Sequence, residues 1–388
     1  MSKGPFSGIL VIDLTRILAG PYCALLMAEL GARVIKVEPP PTGDDSRTIG
    51  PHIKTKSGKT KSGYFMSVNR GKESIMLDLK AEADRKIFEA LLGRADVLIE
   101  NYRGGAMDKL GYGYEALTTK FPRLVYAAIS GFGHTGPYAQ RPAYDMIVQA
   151  MGGIMSLTGH PGGEPTRVGT SIGDLTAGLF GTIGIATALY DRERTGRGQK
   201  IDISMLDCQV AILENAIARY VATGQVPGPL GTRHPSITPF ATFKTADGHI
   251  ALAAGNDQMF SKVADVLGHP EWMADPRYIG NPARVHHADD LHRDMEAALA
   301  SRPTLEWLAR FDAVGIPCGR LNNVADVFAD PQVAARNMIV TADDPDIGPL
   351  RMQGNPIKLS GYDDPKTRAP APELDADRAA ILREFGLD

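Results

Sequence analysis

The residue in this sequence best placed for covalent chemistry is an aspartate at the head of an apolar helix. In the run Gly169-Thr170-Ser171-Ile172-Gly173-Asp174-Leu175-Thr176-Ala177-Gly178, Asp174 immediately precedes a helical pattern. An aspartate there is a good N-cap, and by pattern alone that is the favoured reading. The amide dipoles of a helix start also stabilise a carboxylate, so Asp174 is expected to stay ionised near neutrality and to be able to attack an activated acyl group. Cap and nucleophile are compatible. Gly178, Gly181 and Gly184 follow at i, i+3 and i+6, which leaves one smooth helix face for another backbone to approach.

Other chemistry-bearing patterns lead elsewhere. Glu38 ends the second strand of a βαβ unit, where a dinucleotide fold places the acid that holds a ribose. The first turn, however, reads Leu18-Ala19-Gly20-Pro21, without the glycine-rich pattern that lets a backbone approach a pyrophosphate, so a nicotinamide site is not expected. The basic run Arg192-Glu193-Arg194-Thr195-Gly196-Arg197-Gly198 reads as a helix exit with favourable dipole charges. His286, His287 and His292 lack a carboxylate or cysteine pattern to complete a metal site and read as a solvated helix surface. Trp272 and Trp307 read as core.

These groups need elements to position them. Apolar strands at 9–14 and 33–38 flank a helix at 21–30, with Pro21 in its first turn and Gly31 at its exit. The alternation continues with a helix at 82–92 and strands at 96–100, 124–130 and 199–205, predicting a parallel sheet wrapped by helices. Residues 40–63 read as a long functional or mobile loop, and 206–223 as one helix. A strand, turn and strand at 240–254 and two helical stretches between 259 and 314 begin a second segment; residues 337–388 read as extended. The expected domains are 1–223, completed by 330–388, and a smaller one at 224–329 including its linkers.

At 388 residues, 43% hydrophobic and 22% charged, with a formal net charge of -3, the chain has material for two or three domains and no electrostatic reason to bind nucleic acid. The amino terminus lacks a secretory pattern, and no stretch is read as a membrane span. Cys23, Cys208 and Cys318 are odd in number and far apart, which points to reduced core thiols in the cytoplasm.

A series of short motifs, taken in order, resembles one family over nearly the whole chain. They are Leu10-Val11-Ile12-Asp13-Leu14-Thr15, Ala19-Gly20-Pro21, Leu30-Gly31-Ala32-Arg33-Val34-Ile35-Lys36-Val37-Glu38, Gly43-Asp44, Asn69-Arg70-Gly71-Lys72, Glu100-Asn101-Tyr102-Arg103, Gly131-Phe132-Gly133, Gly173-Asp174, Thr195-Gly196-Arg197-Gly198-Gln199, Arg233-His234-Pro235 and Gly315-Ile316-Pro317-Cys318-Gly319. The family is the class III coenzyme A transferases, which include formyl-CoA transferases, carnitine CoA-transferases and α-methylacyl-CoA racemases.

The resemblance implies a large Rossmann-like α/β domain, a smaller α+β domain and an interlocked, ring-like homodimer. It implies that Asp174 is acylated and that Asp145, after Tyr144, assists it. CoA-binding positions fall on Ile17, Leu18, Lys72, Asn101, Tyr102, Arg103 and Lys109, with Lys72, Arg103 and Lys109 supplying cations of the kind a phosphate requires. Arg47, Tyr144, Arg233 and His234 are substrate-side candidates, and Arg47, Arg233 and Arg320 are spare cations for a second carboxylate. No metal and no permanently bound cofactor are implied; CoA and acyl-CoA are substrates, succinyl-CoA the favoured donor, and a small organic acid the acceptor. No nucleic-acid or membrane partner is expected. Two departures stand out. The compact stretch 233–239 replaces the glycine-rich loop of formyl-CoA transferases, which argues against formyl-CoA and oxalate, and Arg320 stands where the family has proline. Racemisation is the alternative chemistry, but family racemases have histidine where Tyr144 stands, and tyrosine is a poor base near neutrality. A non-catalytic CoA-binding protein is the remaining alternative.

Overall fold

The computed structural model describes residues 3–387, so the readings that touch Met1, Ser2 and Asp388 lie outside the described residues. The chain divides into two compact units: Met1–Met155, Arg167–Gly224 and Pro331–Asp388 form the larger, and Ser156–Thr166 with Gln225–Asp330 the smaller. The short stretch Ser156–Thr166, which the sequence reading leaves in the large domain, belongs to the smaller unit.

In the larger unit, Val- and Ile-rich runs become β1 (Leu10–Asp13), β2 (Arg33–Glu38), β3 (Glu73–Met76), β4 (Val97–Glu100), β5 (Val125–Ser130) and β6 (Lys200–Ser204). Their spatial order is β3-β2-β1-β4-β5-β6, and every neighbouring pair is parallel. Runs with apolar residues on both faces are what strands covered on both sides require. Val11, Val34, Val97 and Val125 face one layer, filled by α1 (Ala19–Glu29) and a long helix described below. Ile12, Ile35, Leu98 and Tyr126 face the other, covered by the helices Glu82–Arg94 and Arg378–Phe385. This is the doubly wound strand order, which reverses between β1 and β4, and such sheets bind ligands in the crevice at the carboxyl ends of the strands there.

Three further helices position the site: α2 (Gly63–Asn69), α3 (Asp145–Met151) and α4 (Ile172–Thr195). The glycine face of α4 is used as its spacing predicts. A Cβ on Gly178 would lie 2.9 Å from the Ala19 carbonyl oxygen, and one on Gly181 2.8 Å from Ile129 Cδ1, so neither position has room for a side chain. By length and composition alone α4 could cross a membrane, a property the sequence reading gives to no stretch; 50% of that apolar window is buried inside the fold. The basic run at its end is the expected helix exit, with Gly196 left-handed at φ 73 and Arg192 donating to Asp96 Oδ1 at 2.9 Å.

Other expectations change. Residues 40–63 contain a 3-10 turn at Asp45–Thr48 and a hairpin of His52–Lys54 with Thr60–Ser62. The expected helix at 206–223 breaks into Met205–Ala211 and Asn215–Thr223, with Glu214 at φ 28 between them. The carboxyl-terminal stretch folds into the hairpin Ile339–Asp344 with Gly348–Gln353, followed by the helix already named. In the smaller unit, the antiparallel strands Phe240–Lys244, His249–Ala253 and Cys318–Arg320 pack with Trp272 and Trp307 in one apolar core. Its helical region holds four helices, not two: Asp257–Leu267, Gly280–His286, Ala288–Leu299 and Thr304–Ala313.

Candidate active site

The turn after β1 is built on buried charge. Asp13 ends the strand, and its Oδ2 accepts from Lys72 Nζ at 2.9 Å. Lys36 Nζ donates to the Thr15 carbonyl at 2.6 Å and pairs with Asp44 Oδ2 at 2.9 Å. These four side chains are fully buried, so their desolvation is offset only by one another and by the hydrogen bonds around them. Burial alone pushes the Asp44 carboxyl up, but the Lys36 ammonium overcomes it and holds the group at about 2. Asp44 Oδ1 then accepts from the Ile17 amide at 3.1 Å, while Asn101 clasps Arg16, accepting from its N–H at 3.0 Å and donating to its carbonyl at 2.8 Å. Ile17 is held at φ 70 as a result, a left-handed conformation that a β-branched residue adopts only when its surroundings impose it.

At the carboxyl ends of β1, β4 and β5 lies a cavity of about 270 Å³. Ile17, Leu18, Asn101, Tyr102, Arg103, Tyr144 and Asp174, all singled out in the sequence, line it together. Arg16, Ser130 and Arg141 join them, and the sequence reading gives those three no role.

Asp174 is not the cap. Helix α4 begins at Ile172, so Asp174 lies within the first turn, and the Ser171 side chain makes no capping bond. The acceptor for the helix start comes from 28 residues upstream: Asp145 Oδ1 takes the Gly173 N–H at 2.8 Å. Gln149 fixes that acid by donating to Asp145 Oδ2 at 2.8 Å, and its own oxygen accepts from the Val168 amide at 2.9 Å. Asp174 accepts no hydrogen bond from a described residue, and it does not stay an ordinary ionised acid. Burial, reinforced by the charge of Asp145, pushes its pKa up to about 7. Desolvation therefore outweighs the helix dipole that the sequence reading relied on. The Tyr64 phenol of α2 is raised to about 12, by burial first and then by the charge of Asp174, which puts an aromatic hydroxyl within electrostatic reach of the acid.

A carboxylate that attacks must be ionised, so acylation of Asp174 is expected to rise with pH to a plateau above about 7. Asp145→Asn keeps an acceptor for Gly173 but removes the negative neighbour. The midpoint should then move to lower pH while staying above the ordinary carboxylate range, because burial is untouched. Single-turnover rates across the pH range check this; a midpoint that is unmoved or moves upward would contradict it.

Against known proteins, the family model described as CoA-transferase family III matches residues 6–378. The chain belongs to CoA-transferase family III. It is 50% identical over 384 residues, 99% of this chain and 96% of the relative, to the acetyl-CoA:oxalate CoA-transferase of Acetobacter aceti. It is 38% identical to the succinyl-CoA:glutarate CoA-transferase of Mus musculus, over 99% of this chain and 87% of that one. Among solved structures, a CAIB/BAIF family protein from Brucella suis superimposes with a TM-score of 0.87 at 41% identity, covering 99% of this chain and 100% of that one.

Not every position carried over from the family-III resemblance reaches the cavity. Lys72 Nζ is fully buried and bonded to Asp13, the Pro21 carbonyl and Asn69; its charge holds the turn after β1 and is not offered to a phosphate. Lys109 is exposed on the helix Ala106–Leu110 and does not line the cavity. Arg47, expected on the substrate side, is committed to Glu38 at 2.6 Å and lies over the Phe65 ring. Glu38, the acid that invited a ribose reading, is buried by that pair and by Ser74 Oγ at 2.7 Å. Arg233 and His234 belong to the smaller unit, where Arg233 meets Asp289 at 2.5 Å and His234 stacks on Phe240. Arg320 is paired with Asp326 at 2.8 Å. The three arginines expected to be spare are thus all paired, whereas cationic Arg103 and Arg141 in the cavity make no ion pair with a described residue.

Proposed function

We propose that this family-III CoA-transferase moves CoA from an acyl-CoA to a small dicarboxylic acid through covalent intermediates on Asp174. The observation that carries the reading is the placement of Asp174: a carboxylate without a hydrogen-bond partner among the described residues, raised to about 7, in the same cavity as Ile17, Leu18, Asn101, Tyr102 and Arg103.

In the proposed cycle an Asp174 oxygen attacks the thioester carbonyl, and the C–S bond breaks to give a mixed anhydride and CoA thiolate. The thiolate then attacks the Asp174 carbonyl, releasing the donor acid as its carboxylate and leaving an aspartyl-CoA thioester. The acceptor carboxylate attacks that thioester, displacing thiolate and forming a second anhydride. Attack of the thiolate on the acceptor acyl carbon frees Asp174 and the new acyl-CoA. Each step exchanges one leaving group for one nucleophile, so no external acid or oxidant is needed. The burial that raises Asp174 also keeps water from the anhydrides, conserving the thioester. Asp145 holds the helix start, and through its charge keeps the Asp174 carboxylate basic and nucleophilic.

The enzyme is read as a cytoplasmic homodimer that binds CoA only as substrate. Exposed Leu179, Ile183 and Tyr190 on one side of α4 form an apolar strip suited to a second copy. Succinyl-CoA remains the favoured donor, with acetyl-CoA beside it. Oxalate returns as an acceptor to test, because the relative named for it shares half of its residues with this chain. Purified protein incubated with either donor and a panel of acids should yield new thioesters by mass spectrometry from dicarboxylates such as oxalate and glutarate, and from succinate when acetyl-CoA is the donor. Absence of a new thioester from every acid would overturn the proposal.

A further inference from the structure

We infer that Arg141, with the hydroxyl of Ser130, forms the subsite for the second carboxylate of the acid acceptor and thereby selects dicarboxylic over monocarboxylic acids; this rests on the transferase reading above.

Three guanidinium groups line the Asp174 cavity, and they are not equivalent. Arg16 is paired with Asp45 at 3.3 Å. Arg103 falls on the positions that the resemblance assigns to CoA. Arg141 remains, and no described carboxylate pairs with it. It is held by aromatic rings instead, 4.6 Å from the Tyr138 centroid and 5.5 Å from that of Phe132. Ring faces fix a guanidinium in place without neutralising it, so its charge and planar donor fork stay available to a ligand.

Ser130 supplies an independent observation. Its hydroxyl, at the end of β5, is buried and has no hydrogen-bond partner among the described residues, although the residue is only 7% exposed and lines the same cavity. Buried hydroxyls are ordinarily satisfied, and a donor left over at a ligand cavity is explained if a ligand oxygen satisfies it. The two residues border one cavity, and the glycine after Ser130 lets their chain segments meet. A Cβ on Gly131 would lie 2.2 Å from Ala143 Cβ, so the bare backbone after Ser130 is what lets the Arg141-Pro142-Ala143 loop lie against the strand end.

Charge decides what this corner would hold. One acceptor carboxylate must approach Asp174 beside Asp145, and a second anionic group in the same cavity needs a cation that is not already paired. Arg141 meets that need with the bidentate geometry that carboxylates prefer. A phosphate of CoA offers the same oxygen chemistry, so the test separates the two sources.

With acetyl-CoA as donor, kcat/KM is measured for glutarate and for butyrate in the wild type, Arg141→Met, Arg141→Lys and Ser130→Ala. Loss of a charge-assisted contact predicts that the glutarate-to-butyrate ratio falls roughly 10- to 100-fold in Arg141→Met. The fall should be smaller in Arg141→Lys, which keeps the charge without the fork, and in Ser130→Ala. An unchanged ratio, or a rise in the KM for acetyl-CoA shared by both acceptors, would overturn the inference and assign Arg141 to neither acid or to a CoA phosphate, leaving the transferase reading intact. Failure of the wild type to acylate either acid would overturn both.

Discussion

Asp174→Ala is expected to lower CoA transfer by at least ~10,000-fold, the scale on which removal of a covalent nucleophile acts, while the variant sediments like the wild type. The two halves of this expectation have separate causes. Activity is lost because no other carboxylate among the described residues at the cavity is free: Asp145 is committed to Gly173 and Gln149, and Asp45 is paired with Arg16. Structure is kept because Asp174 neither caps α4 nor accepts a hydrogen bond from a described residue. Removing it also removes a half-buried charge that repels Asp145, so the variant should be no less stable than the wild type. This inverts what the N-cap reading implies, since loss of a true cap costs about 1 kcal/mol. Thermal denaturation at a pH above about 7, where Asp174 is ionised, therefore discriminates between the two readings alongside the activity assay. Substantial residual transfer would place the nucleophile elsewhere.

Much of the frame is legible in the sequence because it depends on local pattern. Val11, Val34 and Val97 sit in continuous apolar runs that only a doubly covered strand buries, and Gly178 and Gly181 announce a close helix contact by their spacing alone. What is hidden depends on pairs distant in the chain. Asp145 caps a helix that starts 27 residues later, at Ile172, and nothing in its neighbourhood marks it as a cap. The raised pKa of Asp174 is likewise a tertiary effect of burial, invisible to an argument from helix dipoles. Lys72 illustrates the converse error: expected to offer its charge to a CoA phosphate, it neutralises Asp13 inside the fold. The helix break at Glu214 comes without glycine or proline, so no breaker signal precedes it. Tyr64 and Arg141 lie in stretches to which the sequence reading assigns no element, and an arginine near aromatics such as Tyr138 is the cue for the second of them.

The nucleophilic role of Asp174 rests on the resemblance to the family, since its sequence pattern alone favours a cap. The central claim is therefore best tested at that side chain. Enzyme incubated with acyl-CoA and no acceptor should accumulate the aspartyl anhydride or the aspartyl-CoA thioester, because the second half of the cycle cannot proceed. Both are electrophilic at the aspartyl carbonyl. Hydroxylamine should convert Asp174 to a hydroxamate and borohydride should reduce the thioester, each giving a defined mass change on the peptide spanning Ser171 to Leu179. Enzyme that is active in the same tube yet leaves this peptide unmodified by both reagents would contradict covalent catalysis at Asp174.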